Sequence, residues 1–531
     1  MRADLASVAA GVAGLTLAAR LVGFARSVVF SKTVGDTCLG DTYNAANSLP
    51  NVLFEIVAGG VLAGVVVPVV ARHVGAGRGQ QASRTASALI TWTLLVLTPA
   101  GLAVFLGARI FAAAFAKADC AGSADALAAL VVMFAPQVWL YGLAVVSAGV
   151  LQAHHRFLAA ATAPLVSSVV VIIAYLSYAA LAAPSVNDDP TQLTSEALAA
   201  LGWGTTLGVF ALAACTLVPL GQIGLRLRPR LRFAEGDRSV IITIAAAGIA
   251  GLVLQQLSVL LINWSAQQTG DQGALTRFAW ANAIYLLPYA VLAAPLLQLS
   301  FPRLAAAAEQ GKADVGRVLA ETGPATVVMA WLGAALLVAT AVPVARVFVL
   351  GPGSGRTDAL AWPIVAFGPA VVGFTLLGLA SRTLLAQHLG KTSGIATASA
   401  WAAVIISVAV LRLLVPGRWL VPAMAGSVSL GMVLGAVVGW LLVRRSGLVG
   451  VGLARPMLVG LGAAVLAGGV GAACSVLQAD VGIVAAVLGA CAVAMLAVLV
   501  FTAMLRLLAP PLLAQLWALR RRTPSAEVGS S

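Results

Sequence analysis

The sequence predicts an all-α polytopic membrane protein with fourteen transmembrane helices. Three observations support this fold class. Of the 531 residues, 61% are hydrophobic. Only 9% are charged, whereas about a quarter are charged in an ordinary soluble domain. The apolar residues also form runs of about 20 residues or more, the length that a membrane-crossing helix needs.

Fourteen apolar segments can be placed to within a few residues. They fall at 5–30, 43–71, 86–115, 126–151, 157–182, 198–222, 239–267, 274–302, 318–349, 360–386, 393–414, 419–443, 455–476 and 481–508. A basic break, LRLRPRLRFAEGDR, divides the first twelve into two sets of six. The predicted organisation is an N-terminal lobe at 1–224, a cytoplasmic linker at 225–238, a C-terminal lobe at 239–445, a helix pair at 446–510 and a cytoplasmic tail at 511–531.

The basic residues concentrate in alternate loops. One set of loops holds sixteen Lys and Arg residues and the opposite set holds four. Because Lys and Arg in short loops favour the cytoplasmic side, both termini are expected in the cytoplasm. The net charge of +14 is distributed over these loops and forms no basic patch in a soluble domain. Membrane lipids are therefore the expected partners, and nucleic acid is excluded.

The two sets of six segments look related. The second segment reads LPNVLFEIVAGGVLAGVVVPVVA, with Pro50 and Pro68, and the eighth reads LPYAVLAAPLLQLSFPRLA, with Pro288 and Pro302. The loops LQAHHRFLAA and LAQHLGKTSG follow the fourth and tenth segments. Such a repeat predicts two lobes in a pseudo-twofold arrangement, with the second and eighth segments as walls of a transport cavity.

Two arginines lie inside the first apolar segment. A charge at membrane depth is costly and usually faces a watery interior, and a guanidinium can bind phosphate oxygens bidentately. Arg20 and Arg26 are about 120° apart on a straight helix, so both enter one cavity only if the cavity is wide or the helix bends, for which Gly23 offers a place. The alternative is that Arg20 pairs with Glu55 and Arg26 extends to the outer head groups.

Further candidate residues for substrate binding lie on the second and eighth segments. Glu55 could neutralise Arg20 or couple transport to protons or sodium. Asp36 and Asp41 are expected to be solvated in the outer loop, although Asp41 could cap the second segment. Gln255, Gln256, Asn263 and Asn282 are polar residues within apolar segments. Interhelical hydrogen bonds are their expected role, and ligand contact is the alternative. The complete predicted binding set is Arg20, Arg26, Asp41, Asn47, Asn51, Glu55 and Asn282.

No enzymatic motif is apparent. The four histidines lack metal-ligand spacing with carboxylates, so we predict no catalytic residue, no metal and no cofactor. We interpret three cysteines within apolar segments as packing residues: Cys215, Cys474 and Cys491. Cys38 and Cys120 both fall in loops on the predicted outer side, where a disulfide can persist, but sequence does not supply the distance that decides whether they pair.

Three stretches together resemble a known family. The runs ARLVGFARS, LPNVLFEIVAGGVLAGVVVPVVA and QAHHRF are similar to the N-terminal lobe of the MviN/MurJ family of lipid II flippases, in the multidrug/oligosaccharidyl-lipid/polysaccharide exporter superfamily. The resemblance implies alternating access that moves a polyprenyl-diphosphate-linked peptidoglycan precursor to the outer leaflet of a bacterial plasma membrane. It also implies a lipid-linked anionic substrate, cell-wall synthesis proteins as partners, and a final helix pair that forms a lipid-tail groove.

The resemblance carries over unevenly to individual residues. Arg20 and Arg26 match the family's cavity arginines, and Asp41 matches its outer-end aspartate. This chain departs from the family at three places. It has Phe54 and Glu55 where the family has a basic pair, and Gly59 where the family has a glutamate. The family's eighth-helix arginine falls on Asn282 or Ala283. The less cationic cavity leaves three alternatives: a carrier of another lipid-linked glycan, an ion-coupled exporter of small molecules, or a non-transporting envelope scaffold.

Overall fold

A computed structural model describes residues 2–56, 63–223, 225, 227–233, 237–448, 452–478 and 480–513. Nineteen α-helices occur in these ranges. They are α1 (Arg2–Thr33), α2 (Cys38–Phe54), α3 (Ala63–Gly75), α4 (Gly79–Leu106), α5 (Ala108–Phe115), α6 (Ser123–Phe134), α7 (Gln137–Ala153), α8 (Phe157–Leu181), α9 (Ser195–Gln222), α10 (Asp237–Thr269), α11 (Ala274–Pro288), α12 (Ala294–Gln310), α13 (Lys312–Val349), α14 (Thr357–Ala366), α15 (Gly368–Ala386), α16 (Gly390–Leu414), α17 (Gly417–Arg445), α18 (Ala454–Ser475) and α19 (Ile483–Leu508).

The helices confirm the predicted fold class. Twelve continuous or nearly continuous helices of the described chain are long and apolar enough to cross a membrane. The two remaining predicted segments coincide with α2 and α3, and with α10. Several spans are broken once, as at Gly107 between α4 and α5 and at Phe367 between α14 and α15.

The chain forms two compact units. One comprises Met1–Thr276 with Phe348–Gly355, and the other comprises Arg277–Val347 with Arg356–Ser531. The seventh apolar segment is thus grouped with the first six. The five-part organisation at 1–224, 225–238, 239–445, 446–510 and 511–531 stays a prediction, and most of its tail, 514–531, lies outside the described residues.

A cluster of buried aromatic residues lies in the first unit. The ring of Tyr43 on α2 lies 5.0 Å from that of Phe30 and 5.6 Å from that of Phe134, measured between centroids. Its buried hydroxyl shares hydrogen bonds of 2.8 Å with the Tyr175 hydroxyl and 3.0 Å with Thr205 Oγ1. Because a buried polar group is costly when unpaired, this network favours one arrangement of α1, α2, α6, α8 and α9.

Small residues allow close helix packing in the second unit. A Cβ at Gly373 on α15 would lie 2.6 Å from the backbone carbonyl carbon of Met432 on α17, so only glycine lets the two backbones approach this closely. Ala335 and Ala339 of α13 pack with Ala467 of α18 and Val493 of α19 in one buried cluster. The last two helices are therefore joined to the second unit through α13.

Two matching turns support the internal repeat. His155 and His388 follow α7 and α15 with φ of 59° and 61°, the only non-glycine residues of the described chain with positive φ. The next amide donates to a carbonyl five residues earlier in both turns: Arg156 to Leu151, and Leu389 to Leu384, each at 2.9 Å. Both helices thus end in the same left-handed capping motif.

The proline-containing spans show a second correspondence. A π-helical turn, Tyr289–Ala293, follows Pro288 at the end of α11. On α2, Glu55 and Ile56 have π-helical geometry five and six residues after Pro50. Such turns interrupt regular helical hydrogen bonding and occur frequently at functional sites. The second and eighth predicted segments are thus both interrupted after a proline.

Part of the basic linker lies along α4. The Arg228 and Arg230 amides donate to Ser87 Oγ at 3.2 Å and Thr91 Oγ1 at 3.1 Å. The Trp92 indole donates to the Leu231 carbonyl at 2.9 Å. The arginine side chains at 228, 230 and 232 are exposed, so the backbone is fixed while the charges face outward.

Candidate functional site

The two arginines on α1 occupy different environments. α1 is continuous through Gly23, which leaves Arg20 and Arg26 on faces about 120° apart. Arg20 is exposed and Arg26 is half-buried. In the described part of the chain neither side chain forms a hydrogen bond or ion pair.

Arg26 lies within electrostatic range of three tyrosines in the first unit. Its charge interacts with the hydroxyls of Tyr43 on α2, Tyr141 on α7 and Tyr175 on α8. A half-buried guanidinium with no carboxylate partner among the described residues can accept an anionic ligand.

Four polar residues of α2 and its C-terminal end form one face. Asn44, Asn47, Asn51 and Glu55 follow one another at spacings of three or four residues, which places them along the same side of a helix. Asn47 and Asn51 are half-buried and make no side-chain hydrogen bond within the described ranges. Their amides are therefore open to a ligand.

The alternative interpretation, an ion pair between Arg20 and Glu55, does not hold for the described chain. Both side chains are exposed and no ion pair joins them. The reason is geometric: charge complementarity between adjacent segments does not determine which face each residue occupies. The neighbouring Phe54, where the resemblance expects a cation, lies against Tyr141 with ring centroids 4.6 Å apart. Gly59, the second departure, lies outside the described residues.

Asp41 is buried, which corrects the expectation of a solvated carboxylate. It is 1% exposed and accepts hydrogen bonds from the Gly273 amide at 2.9 Å, the Thr276 amide at 2.9 Å and Thr276 Oγ1 at 3.0 Å. It therefore caps the start of α11, where helical amides lack partners and negative charge is favoured. The cap of α2 is Thr37, which accepts from the Gly40 amide.

Asp36 is also buried, for a similar reason. It accepts hydrogen bonds from the Ser354 amide at 3.2 Å and Ser354 Oγ at 2.5 Å. Gly273 and Gly353, with φ of 79° and 118°, approach Asp36 so closely that a Cβ on either would clash with it. The two aspartates thus hold two distant turns against the short connection between α1 and α2.

Cys38 and Cys120 form a disulfide, with 6.0 Å between their Cα atoms. This spacing falls within the ordinary range for a disulfide. The bond joins the first turn of α2 to the connection between α5 and α6, and settles the alternative that sequence left open.

The hydrogen bonds of the polar residues in the seventh and eighth segments differ from those expected. Among described residues, Gln255, Gln256 and Asn263 form no interhelical side-chain hydrogen bond, and the buried Asn263 amide nitrogen has no partner. Gln267, which sequence reasoning missed, donates instead to the Asp41 carbonyl at 3.1 Å. Asn282 is half-buried in the second unit. Its near neighbour Arg277 is 1% exposed, so this arginine belongs to the interior of that unit.

The described residues include no group of three His, Cys, Asp or Glu side chains placed to hold a metal ion. The site offers cationic, amide and aromatic groups, together with the carboxylate of Glu55. They suit binding of an anionic, partly polar molecule.

The chain is similar in sequence to one protein family and to several of its members. The chain matches the family model described as lipid II flippase MurJ over residues 30–489. A probable lipid II flippase MurJ of Rhizobium meliloti strain 1021 is 28% identical over 312 residues, which cover 57% of this chain and 55% of the relative. The lipid II flippase MurJ of Burkholderia cenocepacia is 26% identical over 390 residues, 71% of each chain. The chain thus spans about half the length of the Rhizobium relative.

Solved structures agree in fold. A lipid II flippase MurJ in an inward closed conformation matches with a TM-score of 0.72 and 15% identity, covering 94% of this chain and 99% of that one. An inward-facing MATE-family transporter of the MOP superfamily matches with a TM-score of 0.63 and 14% identity, covering 81% and 95%. At these identities the likeness shows the fold alone. Because the family model matches 30–489 of the 531 residues, the chain belongs to the lipid II flippase MurJ family.

Proposed function

We propose that the chain moves a polyprenyl-diphosphate-linked peptidoglycan precursor, lipid II, from the inner to the outer leaflet of a bacterial plasma membrane by alternating access. The single observation that carries the proposal is Arg26. It is a half-buried cation on a membrane-spanning helix, it interacts with three tyrosines, and it has no carboxylate partner among the described residues. Family membership supplies the cargo that such a cation would bind.

The polar face of α2 supports the same proposal. A diphosphate held at Arg26 needs donors for its remaining oxygens and for the sugar and peptide groups that follow it. Asn47 and Asn51 are half-buried amides without side-chain partners in the described chain. We assign Arg20, Arg26, Asn47, Asn51 and Glu55 to the N-terminal part of the substrate path, and Asn282 to the C-terminal part.

Asp41 is assigned to closure of the path, apart from substrate contact. Its carboxylate is saturated by the turn at 273–276, so an anionic substrate gains nothing from it. In the proposed orientation, with both termini cytoplasmic, this turn lies at the outer end.

The membrane potential supplies a driving force for the proposed transport. An inside-negative potential favours outward movement of an anion by about 2.3 kcal/mol per charge per 100 mV.

Phe54 favours a second cargo. An aromatic ring packed on Tyr141 stands where the family resemblance expects a cation, which lowers the local affinity for phosphate and provides an apolar surface. A different lipid-linked glycan is therefore the second candidate cargo.

Cell-wall synthesis proteins are the proposed partners of the chain when its cargo is lipid II, because the flipped precursor is their substrate.

Complementation tests the proposal. A bacterium depleted of its own lipid II flippase would express the parent chain or the variants Arg26→Ala, Arg26→Lys and Arg109→Ala at equal membrane abundance. Arg109 is the matched control, an exposed arginine 3.6 Å from Asp125. A hydrogen bond to a charged group contributes about 1.5–3 kcal/mol, so Arg26→Ala should lower flipping roughly 10- to 150-fold.

We expect the parent and Arg109→Ala to restore growth, Arg26→Ala to fail, and Arg26→Lys to restore it partly because it keeps charge without the bidentate fork. Failure of a well-expressed parent would overturn lipid II as the cargo and favour the second candidate. Full rescue by Arg26→Ala would remove the residue on which the site is built.

A further inference from the structure

The connection between α5 and α6 carries a buried lysine that the proposed transport mechanism does not use. Lys117 is 5% exposed, and its Nζ donates to the carbonyls of Gly270 at 2.7 Å and Asp271 at 3.1 Å. These carbonyls directly follow α10, which ends at Thr269. The carboxyl end of a helix leaves carbonyls unpaired and carries partial negative charge, so Lys117 acts as a cationic cap.

The same turn receives an anionic cap at its other end. Residues 270–276, here named the 270–276 turn, connect α10 to α11, and Asp41 accepts the Gly273 and Thr276 amides at the start of α11. The positive side chain therefore lies at a helix carboxyl end and the negative one at a helix amino end. Both placements are the favourable ones for the helix dipoles.

Further contacts fix the connection that carries Lys117. Ser123 Oγ donates to the Lys117 carbonyl at 3.0 Å, and Gln268 Nε2 donates to the Ala114 carbonyl at 3.1 Å. Gln272 Nε2 also donates to Asp188 Oδ1. The 270–276 turn is thus held by the α5–α6 connection, by the α8–α9 connection and by Asp41 on α2, all in the first unit.

The disulfide joins the two caps. Cys38 lies three residues before Asp41, and Cys120 lies three residues after Lys117. Both cysteines are buried, at 1% and 7% exposure. The covalent bond therefore prevents the lysine-bearing connection from moving away from the first turn of α2, where the aspartate is placed.

We propose that the Cys38–Cys120 disulfide fastens Lys117 and Asp41 into one clasp that keeps the 270–276 turn closed, and that breaking the disulfide loosens this turn. Lys117 is a positioning residue in this scheme. A dithiol such as dithiothreitol would supply two electrons and two protons, break the S–S bond to give two thiols, and itself close to a cyclic disulfide. The contacts argue for the clasp directly; only its consequence, easier outer opening, rests on the proposed function.

Hydrogen exchange of the full chain in lipid nanodiscs tests the clasp. The Gly273 and Thr276 amides, which bind Asp41, report on the turn. We expect dithiothreitol to accelerate exchange in peptides covering 270–276 about tenfold, the change that a loss of roughly 1.4 kcal/mol produces. The double variant Cys38→Ser/Cys120→Ser should show the same acceleration without reductant, whereas Cys215→Ser should match the parent.

Lys117→Met separates a clasp from a simple crosslink. With the disulfide intact it should also accelerate exchange at 270–276, and added reductant should then have little further effect. Exchange that is unchanged by reduction would overturn the proposal. A rise of equal size in α15 to α17 of the second unit would also overturn it, because that result means general destabilisation. Failure of complementation would leave this readout unaffected, so the two proposals can fail separately.

Discussion

Removing the carboxylate of Asp41 should release the 270–276 turn. Asp41→Ala deletes three hydrogen bonds, from the Gly273 amide, the Thr276 amide and the Thr276 hydroxyl, at a position that is 1% exposed. A hydrogen bond to a charged group contributes about 1.5–3 kcal/mol. Water can replace some of these bonds once the turn opens, so a net loss of about 2 kcal/mol is expected for the closed state, on the order of 30-fold in the closed-to-open ratio.

Chemical labelling measures this shift. Ala45 lies one helical turn from Asp41 on the same face of α2 and is fully buried. Ala45→Cys would be reacted with a membrane-impermeant maleimide, in a background with serine at the three free cysteines, Cys215, Cys474 and Cys491. We expect Asp41→Ala to accelerate labelling about 30-fold, because a buried thiol reacts only when the structure around it opens. An unchanged labelling rate at equal abundance would refute the assignment of Asp41 to closure.

Asp189→Ala provides the matched control. Asp189 lies in the connection between α8 and α9, where the side chains of Thr191 and Gln192 donate hydrogen bonds that lower the pKa of its carboxyl. It is also an aspartate on the predicted outer side, but its contacts are local. Its removal should leave labelling at Ala45→Cys unchanged.

Two substitutions test the packing and the turns. Gly373→Ala should lower the melting temperature in detergent, because its new Cβ would meet the Met432 backbone and overpacking costs about 1–3 kcal/mol; an unchanged melting temperature would contradict this helix contact. His155→Val should destabilise by about 1–2 kcal/mol through its left-handed backbone, whereas His155→Gly should not. Equal melting temperatures for those two variants would contradict the described turn.

The sequence predicted the helices well because their signal is local. Apolar runs long enough to cross a membrane are visible within about 20 residues, and each of the fourteen predicted segments coincides with a helix or an interrupted pair. The repeated loops were also visible locally. Their equivalence became firm only when His155 and His388 showed the same left-handed conformation.

The environment of the carboxylates could not be predicted because their partners are distant in sequence. Asp41 binds a turn 232 to 235 residues away, and Asp36 binds Ser354 across 318 residues. A polar residue in a loop looks solvated until another loop covers it. The alternative Arg20–Glu55 pair does not form in the described chain, because sequence places the two charges on adjacent segments without determining which face of its helix each one occupies.

The docked linker has a practical consequence for anyone who divides the chain into two co-expressed fragments. Because Ser87, Thr91 and Trp92 of α4 hold the backbone at 228–231, those residues belong to the amino-terminal fragment although they follow its last helix, α9. A cut after Phe233 keeps the backbone of residues 228–231 bound to α4. A cut before Leu225 would transfer it to the other fragment, and the three polar groups of α4 would lose their partners at the new surface.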